Sequence, residues 1–167
     1  LMKKFSFEEH NRKVALIKPG IDSRDGKTII KSRMGLACQA ITMGQHENII
    51  GKLNSIGDFD IIIADESQFF TKKQINDLRE LVDKGIMVMC YGLKTDYMGN
   101  LFEGSKRLLE VSDTIREIQT MCLCGRKAII NARYSGEKIV YAGDQIDLGG
   151  DDKYVALCHQ CWKKGKI

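Results

Sequence analysis

The sequence lacks several features that would place it quickly in a class. No apolar run approaches the roughly 20 residues of a bilayer-spanning helix, and no secretory signal leads the chain. We therefore expect a cytoplasmic protein without a membrane partner. The phosphate-binding motif G-x-x-x-x-G-K-[ST] is missing from the 167 residues, so no evident cradle for nucleotide phosphates is present. Proline occurs once, at Pro19, where it marks the exit of a predicted strand.

A concentrated charge of one sign is also missing. The net charge is only +4, and Lys and Arg are spread along the chain apart from the tail KKGK at 163–166. Nucleic-acid binding is not indicated, because it normally needs a clustered basic face, and we expect the tail to be a solvated end. Hydrophobic residues make up 43% and charged residues 29%, which is typical of a soluble globular protein.

An acidic pair follows a strongly apolar segment in IIIADESQFF, residues 61–70. The apolar run predicts a strand buried on both faces, as in a parallel sheet. Asp65 and Glu66 then lie at its carboxyl end, where ligands bind in such sheets. Acids there are suited to a Mg²⁺ ion that bridges nucleotide phosphates, and one of them can accept a proton from a nucleophile. The alternative is a polar strand end without a chemical role.

Strands and helices alternate over the first part of the chain. Strands are predicted at 14–18, 60–64 and 86–91, helices at 45–56 and 71–84, and a loop from residue 21 passes into a possible second strand. Thr71 is expected to cap the second helix and Gly85 to end it. This order predicts an α/β fold with a parallel sheet and helices on both faces. After Met121 the segments are short, extended and rich in cysteine, so we predict domains at 1–120 and 121–167.

Four of the six cysteines form two close pairs. In a protein without a secretory signal, thiols stay reduced, which favours a metal over disulfides. Four thiolates complete the tetrahedron that Zn²⁺ prefers and leave no position for water, so the ion would be structural. The predicted ligands are Cys122, Cys124, Cys158 and Cys161.

Other readings of the cysteines remain. The one-residue spacer of the first pair is tighter than in most zinc knuckles, and unrelated or disulfide-bonded cysteines are the alternative. His159 lies inside the second pair and is a possible replacement ligand. We expect Cys38 and Cys90 to pack in the core as small hydrophobic residues.

Four motifs occur together in the order and spacing of one family. They are DESQFF at 65–70, YGLKTDYMGNLFEGS at 91–105, the paired cysteines, and GDQIDLGGDDKYVALCHQC at 143–161. Together they resemble the type II thymidine kinases, over nearly the whole chain. The resemblance implies a RecA-like P-loop kinase domain, a small zinc domain with a lasso loop over the nucleoside, and a homotetramer. It also implies ATP-dependent phosphorylation of the thymidine 5′-hydroxyl and feedback inhibition by thymidine triphosphate.

The resemblance assigns roles around the phosphates. Glu66 is expected to be the general base at the 5′-hydroxyl, and Asp65 to support the Mg²⁺ that accompanies ATP. Asp22 and Arg24 resemble the acidic and basic pair that the family places beside the phosphates. The alternative for these two residues is an exposed salt bridge in a loop. The full set expected at ATP and Mg²⁺ is Asp65, Glu66, Ser67, Gln68, Asp22 and Arg24.

The resemblance also implies a pocket for the nucleoside. Tyr97 stands where Phe is more usual and adds a hydroxyl group, and Lys94 replaces a frequent acid. Backbone groups of the lasso are expected to read the thymine edge, so its side chains need not match the family. A plain core role is the alternative for Tyr97 and Phe102. The expected substrate-binding residues are Leu93, Tyr97, Phe102, Asn131, Gln145, Asp147 and Tyr154.

The missing phosphate cradle leads to competing hypotheses. We expect the native chain to carry a strand and a phosphate-binding loop that end a few residues before Leu1. One alternative is a catalytically inactive nucleotide-binding relative that truly lacks this loop. Another is a zinc-ribbon module that binds nucleic acid. Salt-dependent binding to oligonucleotides would favour the zinc-ribbon module, and failure of the complete gene product to phosphorylate thymidine would favour the inactive relative.

Overall fold

The structure is a computed structural model that describes residues 1–21, 28–31, 35–145 and 153–165. It divides into two compact units, of which the first is Leu1–Leu93 with Glu103–Ser112 and the second is Lys94–Phe102 with Asp113–Ile167. The division therefore follows Ser112, and the segment Lys94–Phe102 joins the second unit, where the sequence suggested one boundary near 120. Within the described ranges, no helix is long and apolar enough to cross a membrane.

Short helices and strands make up both units. The helices are α1 Met2–Glu8, α2 Ile49–Ile56, α3 Lys72–Asp83, α4 Glu103–Val111 and α5 His159–Lys163. The strands are β1 Val14–Pro19, β2 Ile29–Lys31, β3 Ala37–Gln39, β4 Ile41–Met43, β5 Ile61–Ala64, β6 Met87–Cys90, β7 Thr120–Met121, β8 Lys127–Ala128, β9 Ile130–Ser135, β10 Lys138–Ile139 and β11 Lys153–Leu157.

A four-stranded sheet forms the first unit, in the order β4-β1-β5-β6. Each neighbouring pair is parallel, with Val14 opposite Ile61 and Ile61 opposite Met87. The predicted α/β fold with a parallel sheet is thus confirmed. Strand β5 lies inside the sheet, and all its residues are buried, as its apolar run predicted.

The two faces of this sheet carry separate cores, because successive side chains of a strand point to opposite faces. Ile62 and Ala64 of β5 pack with apolar residues of α2 and α3, and the partly buried side chains of α4 cover the same core. Ile61 and Ile63 face the other way, towards the antiparallel pair β2–β3 and the partly buried apolar residues of α1. Cys38 and Cys90 pack against these two cores, as expected.

Helix α3 shows why the sequence prediction worked locally. The Thr71 hydroxyl accepts a hydrogen bond from the backbone N–H of Gln74. The Gln74 side-chain oxygen accepts one from the backbone N–H of Thr71, and the two bonds form a capping box. At the other end Gly85 has a φ of 89°. Its N–H donates to the Val82 carbonyl and the next N–H donates to the Leu81 carbonyl, which is the Schellman pattern. The predicted start and end of this helix are confirmed.

Several elements of the first unit were predicted wrongly or not at all, and helix α4 and strand β3 are among those not predicted. Strand β4, at Ile41–Met43, was missed because three residues carry too little periodicity to be recognised. The possible second strand exists as β2 but pairs with β3 outside the parallel sheet. Strand β6 was expected to be buried, but it forms the sheet edge, and Met87 is 52% exposed.

The second unit is built on a small antiparallel sheet in the order β10-β9-β11, with β7–β8 as a further antiparallel pair. Its core gathers Ile130, Ala132 and Leu157 with the buried Cys122 and Cys158. The partly buried Trp162 of α5 packs against this core. Cysteines therefore form a substantial part of what this unit buries.

Candidate active site and cysteine cluster

Asp65 and Glu66 follow β5 directly and stand at the carboxyl end of the parallel sheet. The Asp65 N–H still donates to the Ile17 carbonyl of β1 at 3.0 Å, and its Oδ1 accepts from the Glu66 N–H at 3.0 Å. Glu66 then adopts φ 48° and ψ 39°, in the left-handed region. A non-glycine residue there costs of the order of 1–3 kcal/mol and is often found at functional sites. The backbone thus turns sharply at the second acid.

A 3-10 turn over Ser67–Phe69 follows the acidic pair directly, with Glu66 as its N-cap. The Ser67 N–H donates to the Tyr91 carbonyl at 2.8 Å, and its hydroxyl donates to the Ala64 carbonyl at 3.0 Å. Ser67 is fully buried. The contacts of its side chain in the described structure are therefore internal, whereas the sequence placed this residue at ATP.

Gln68 links the acidic pair to the segment after β6. Its Nε2 donates to Glu66 Oε2 at 2.6 Å, and its Oε1 accepts from the Leu93 N–H at 3.1 Å. The amide orientation is determined by these two partners, because a flipped amide would set oxygen against carboxylate and N–H against N–H. Only 2% of Gln68 is exposed.

Two glycines allow this close packing. A Cβ at Gly92 would lie 2.5 Å from Gln68 Oε1. A Cβ at Gly104, in the first turn of α4, would lie 2.5 Å from the Ser67 carbonyl oxygen and 2.6 Å from that of Phe70. The beginning of α4 thus packs directly on the turn that carries the acids, and only glycine fits there.

Next to this turn, Cys90 ends β6. Burial raises the pKa of its thiol to about 11, and a hydrogen bond with Ser67 opposes the shift. The thiol is therefore neutral at physiological pH and suits the packing role that the sequence predicted.

In the second unit, Tyr97 and Phe102 are buried, with 3% and 5% exposed. The Tyr97 hydroxyl donates to the Asp144 carbonyl at 3.2 Å, and Gln145 Nε2 donates to Asp96 Oδ2 at 2.8 Å. The extra hydroxyl at position 97 therefore has a partner, at the beginning of the motif at 143–161.

Strand β9 presents polar side chains on the face opposite its core. Ile130 and Ala132 point to the core, so Asn131 and Arg133 point away from it. Tyr154 of β11 is paired directly with Arg133 and shares that face. The Arg133 guanidinium lies 5.5 Å from the centre of the Tyr97 ring, a cation–π contact. The structure thus brings Tyr97 to the same sheet face as Asn131 and Tyr154.

Sequence reasoning missed Arg133, although its place two residues after Asn131 was a usable signal. Leu93 lies in the first unit and is 41% exposed. The expected residues Asp22, Arg24 and Asp147 lie outside the described residues.

The paired cysteines meet in the second unit. Their four sulfur atoms lie within 4.8 Å of one another, and Cys124 Sγ is 3.7 Å from Cys158 Sγ. Four sulfurs at about 2.3 Å from a tetrahedral Zn²⁺ stand about 3.8 Å apart, so the spacing fits that ion. Among the described residues, the metal-ligand cluster of this kind consists of Cys122, Cys124, Cys158 and Cys161, as predicted from their spacing.

The thiols of the cluster have opposite tendencies to ionise. Hydrogen bonds from the backbone of Cys124 and Cys158 lower the pKa of the Cys122 thiol to about 6. The neighbouring thiols of Cys124 and Cys158, with burial and the charge of Cys122, raise the pKa of Cys161 to about 12. Four adjacent thiolates repel one another, and a bound cation is what makes full ionisation favourable.

Comparisons with known proteins agree over most of the chain. A family model described as thymidine kinase matches residues 1–162. A thymidine kinase of Vibrio vulnificus (strain CMCP6) is 39% identical over 170 residues, which cover 98% of this chain and 88% of the relative. A thymidine kinase of Rhizobium meliloti is 38% identical over 165 residues, covering 95% and 85%, and one of Encephalitozoon cuniculi is 42% identical over 155 residues, covering 90% and 73%.

Proposed function

The chain belongs to the thymidine kinase family, and from this premise we propose that it transfers the γ-phosphoryl group of ATP to the 5′-hydroxyl of thymidine. The observation that carries the proposal is the acidic pair at the carboxyl end of β5, within a chain that matches the family over residues 1–162. The substrate oxygen forms a new bond to phosphorus, the bond between the γ-phosphorus and its bridging oxygen breaks, and ADP leaves.

Glu66 is the proposed general base. Its carboxylate accepts the proton of the 5′-hydroxyl while the hydroxyl oxygen attacks phosphorus. Asp65, adjacent to it, is proposed to bind the Mg²⁺ of the ATP complex, which neutralises phosphate charge when bound. Asp22 and Arg24 are proposed to lie beside the phosphates, and this assignment depends on the sequence resemblance alone.

The thymine base is proposed to bind on the face of the β10-β9-β11 sheet that points away from its core. Tyr97 and Phe102, which are buried, are proposed to form the apolar wall of the pocket, and Asn131 and Tyr154 are proposed to supply polar groups. Leu93, Gln145 and Asp147 complete the proposed set. Support comes from the arrangement of Tyr97, Asn131 and Tyr154 around one sheet face, where Arg133 lies over the Tyr97 ring.

Zinc is the proposed occupant of the cysteine cluster, because the sulfur spacing suits its tetrahedral coordination. With four protein ligands it would stabilise the fold and leave no open position for chemistry. A homotetramer, feedback inhibition by thymidine triphosphate and a cytoplasmic location complete the proposal, and they follow from the family resemblance.

The test is an assay of the full-length gene product with thymidine, Mg²⁺ and ATP labelled at the γ-phosphate. We expect labelled thymidine monophosphate, and its formation should be unaffected by added oligonucleotides. Uridine and deoxycytidine serve as comparison acceptors. A full-length protein that binds ATP and thymidine but forms no labelled product would show an inactive relative and overturn the proposal.

A further inference from the structure

The carboxylate of Glu66 is held by a hydrogen bond that needs explanation. Glutamate side chains on a surface turn sample several rotamers, and a base must face one hydroxyl with little freedom. Gln68 Nε2 lies 2.6 Å from Glu66 Oε2, a short bond from an amide to a charged acceptor. This bond restricts the orientation of the carboxylate.

Gln68 is itself immobilised at its other end. Its Oε1 accepts from the Leu93 N–H at 3.1 Å, and the residue is 2% exposed. Gly92 approaches so closely that any side chain there would meet the Gln68 oxygen at 2.5 Å. The amide can neither flip nor swing away without losing both partners inside a buried site, which is costly.

We propose that Gln68 is a positioning residue that holds the Glu66 carboxylate in the orientation needed to accept the substrate proton. This inference deepens the proposed function and rests on it. Gln68 gains and loses no proton, because the hydroxyl proton passes to Glu66 alone. It also differs from the role at ATP that the sequence suggested, because both ends of the Gln68 amide are bonded within the protein.

The informative variant is Gln68→Glu in the full-length protein. The new carboxylate keeps the acceptor for the Leu93 N–H but sets an oxygen against Glu66 Oε2 in place of the donor. We expect kcat to fall by about 10- to 100-fold, the range for losing a hydrogen bond to a charged group. The KM values for thymidine and ATP should stay within about twofold, because Glu66 acts on the transferred proton. Gln68→Met, which removes both bonds, should lower kcat at least as much.

A matched control is available in Gln74→Glu. Gln74 is another buried glutamine of the first unit, with Nε2 bonded to the Gly44 carbonyl and Oε1 to the Thr71 N–H. Its replacement should lower the melting temperature but leave kcat of the folded enzyme unchanged. Equal losses of kcat in the two variants would overturn the inference, because the effect would then be one of general stability.

The decisive measurement combines Gln68→Glu with Glu66→Gln. If Gln68 acts through Glu66, adding Gln68→Glu to the Glu66→Gln variant lowers kcat little further. A full additional loss there, or a rise in the KM for ATP with kcat unchanged, would overturn the inference and indicate direct contact with the nucleotide. These results leave the kinase assignment intact, whereas a wild type without activity would overturn both.

Discussion

The two units hold their chemically important groups in opposite ways. In the first, Glu66 and its neighbours rest on a buried parallel strand with an apolar core on each face. In the second, Cys122 and Cys158 are themselves part of the small core. A core of that size supplies little stability, and small units commonly depend on a metal or disulfide. In the first unit, the packed sheet holds the acidic pair in place. In the second unit, the cysteines are themselves part of the packing.

Metal removal should separate the two units most strongly. A chelator that takes zinc from the full-length protein should unfold the region after residue 120, because structural zinc contributes on the order of 10–16 kcal/mol of apparent binding free energy. The first unit should keep its fold. Limited proteolysis followed by mass spectrometry locates the new cleavage sites, and unchanged protease resistance after residue 120 would contradict the prediction.

Acidification should act in the same direction as the chelator. The thiolate binds the metal, and the Cys122 thiol, with a pKa of about 6, is ionised above that pH. Protons compete with zinc for the four thiolates as the pH falls, and near pH 6 this competition reaches the Cys122 thiolate as well, so zinc retention should decrease there. Metal analysis after dialysis over a pH series measures the effect, and full retention well below pH 5 would contradict it.

Glu66→Gln should show the opposite pattern, with chemistry lost and the fold kept. It preserves the size of the side chain and removes the base, so we expect turnover to fall on the order of 10²-fold or more. The melting temperature and zinc content should stay near those of the wild type. Glu80→Gln is the control, because Glu80 is exposed and pairs only with Lys84 on the surface of α3 among its described contacts. Near-normal turnover of Glu66→Gln would reject the role.

Gly104→Ala tests whether the first unit's site depends on its packing. The added methyl group would meet backbone oxygens of Ser67 and Phe70 at 2.5 and 2.6 Å, so we expect a destabilisation of about 1–3 kcal/mol. Turnover should also fall, because the Ser67–Phe69 turn that follows Glu66 must shift. Gly44→Ala is the matched control, with nearest contacts at an ordinary 3.6 Å. Equal melting temperatures for the two variants would show that α4 can move aside.

Tyr97→Phe should give the smallest effect. It removes one hydroxyl whose bond to the Asp144 carbonyl is 3.2 Å long, and such a neutral bond is worth about 0.5–1.5 kcal/mol. We expect the KM for thymidine to rise about two- to tenfold with little change in kcat. Tyr141→Phe deletes a similar bond, to the Trp162 carbonyl, elsewhere in the second unit and should leave the KM unchanged. An equal KM for thymidine in both variants would show that the Tyr97 hydroxyl takes no part in nucleoside recognition.

Local patterns predicted the elements and ligands that depend on neighbouring residues. The caps of α3, the buried run of β5 and the spacing of the four cysteines are short-range features, and the structure confirms each. The alternation of β9 could also have revealed Arg133. Strand β4 and the exposure of β6 were missed because a strand's position in a sheet depends on residues distant in sequence.

The sequence by itself determined the α/β class, the acids at the end of β5 and a four-thiol cluster, because periodicity and ligand spacing are written in consecutive residues. Only the tertiary structure decided that Gln68 joins Glu66 to the Leu93 amide, and that Lys94–Phe102 belongs to the cysteine-bearing unit. The physical reason is that a buried amide bonds to whichever groups the folded chain brings within 3 Å or so, and no local rule of sequence states which groups those will be.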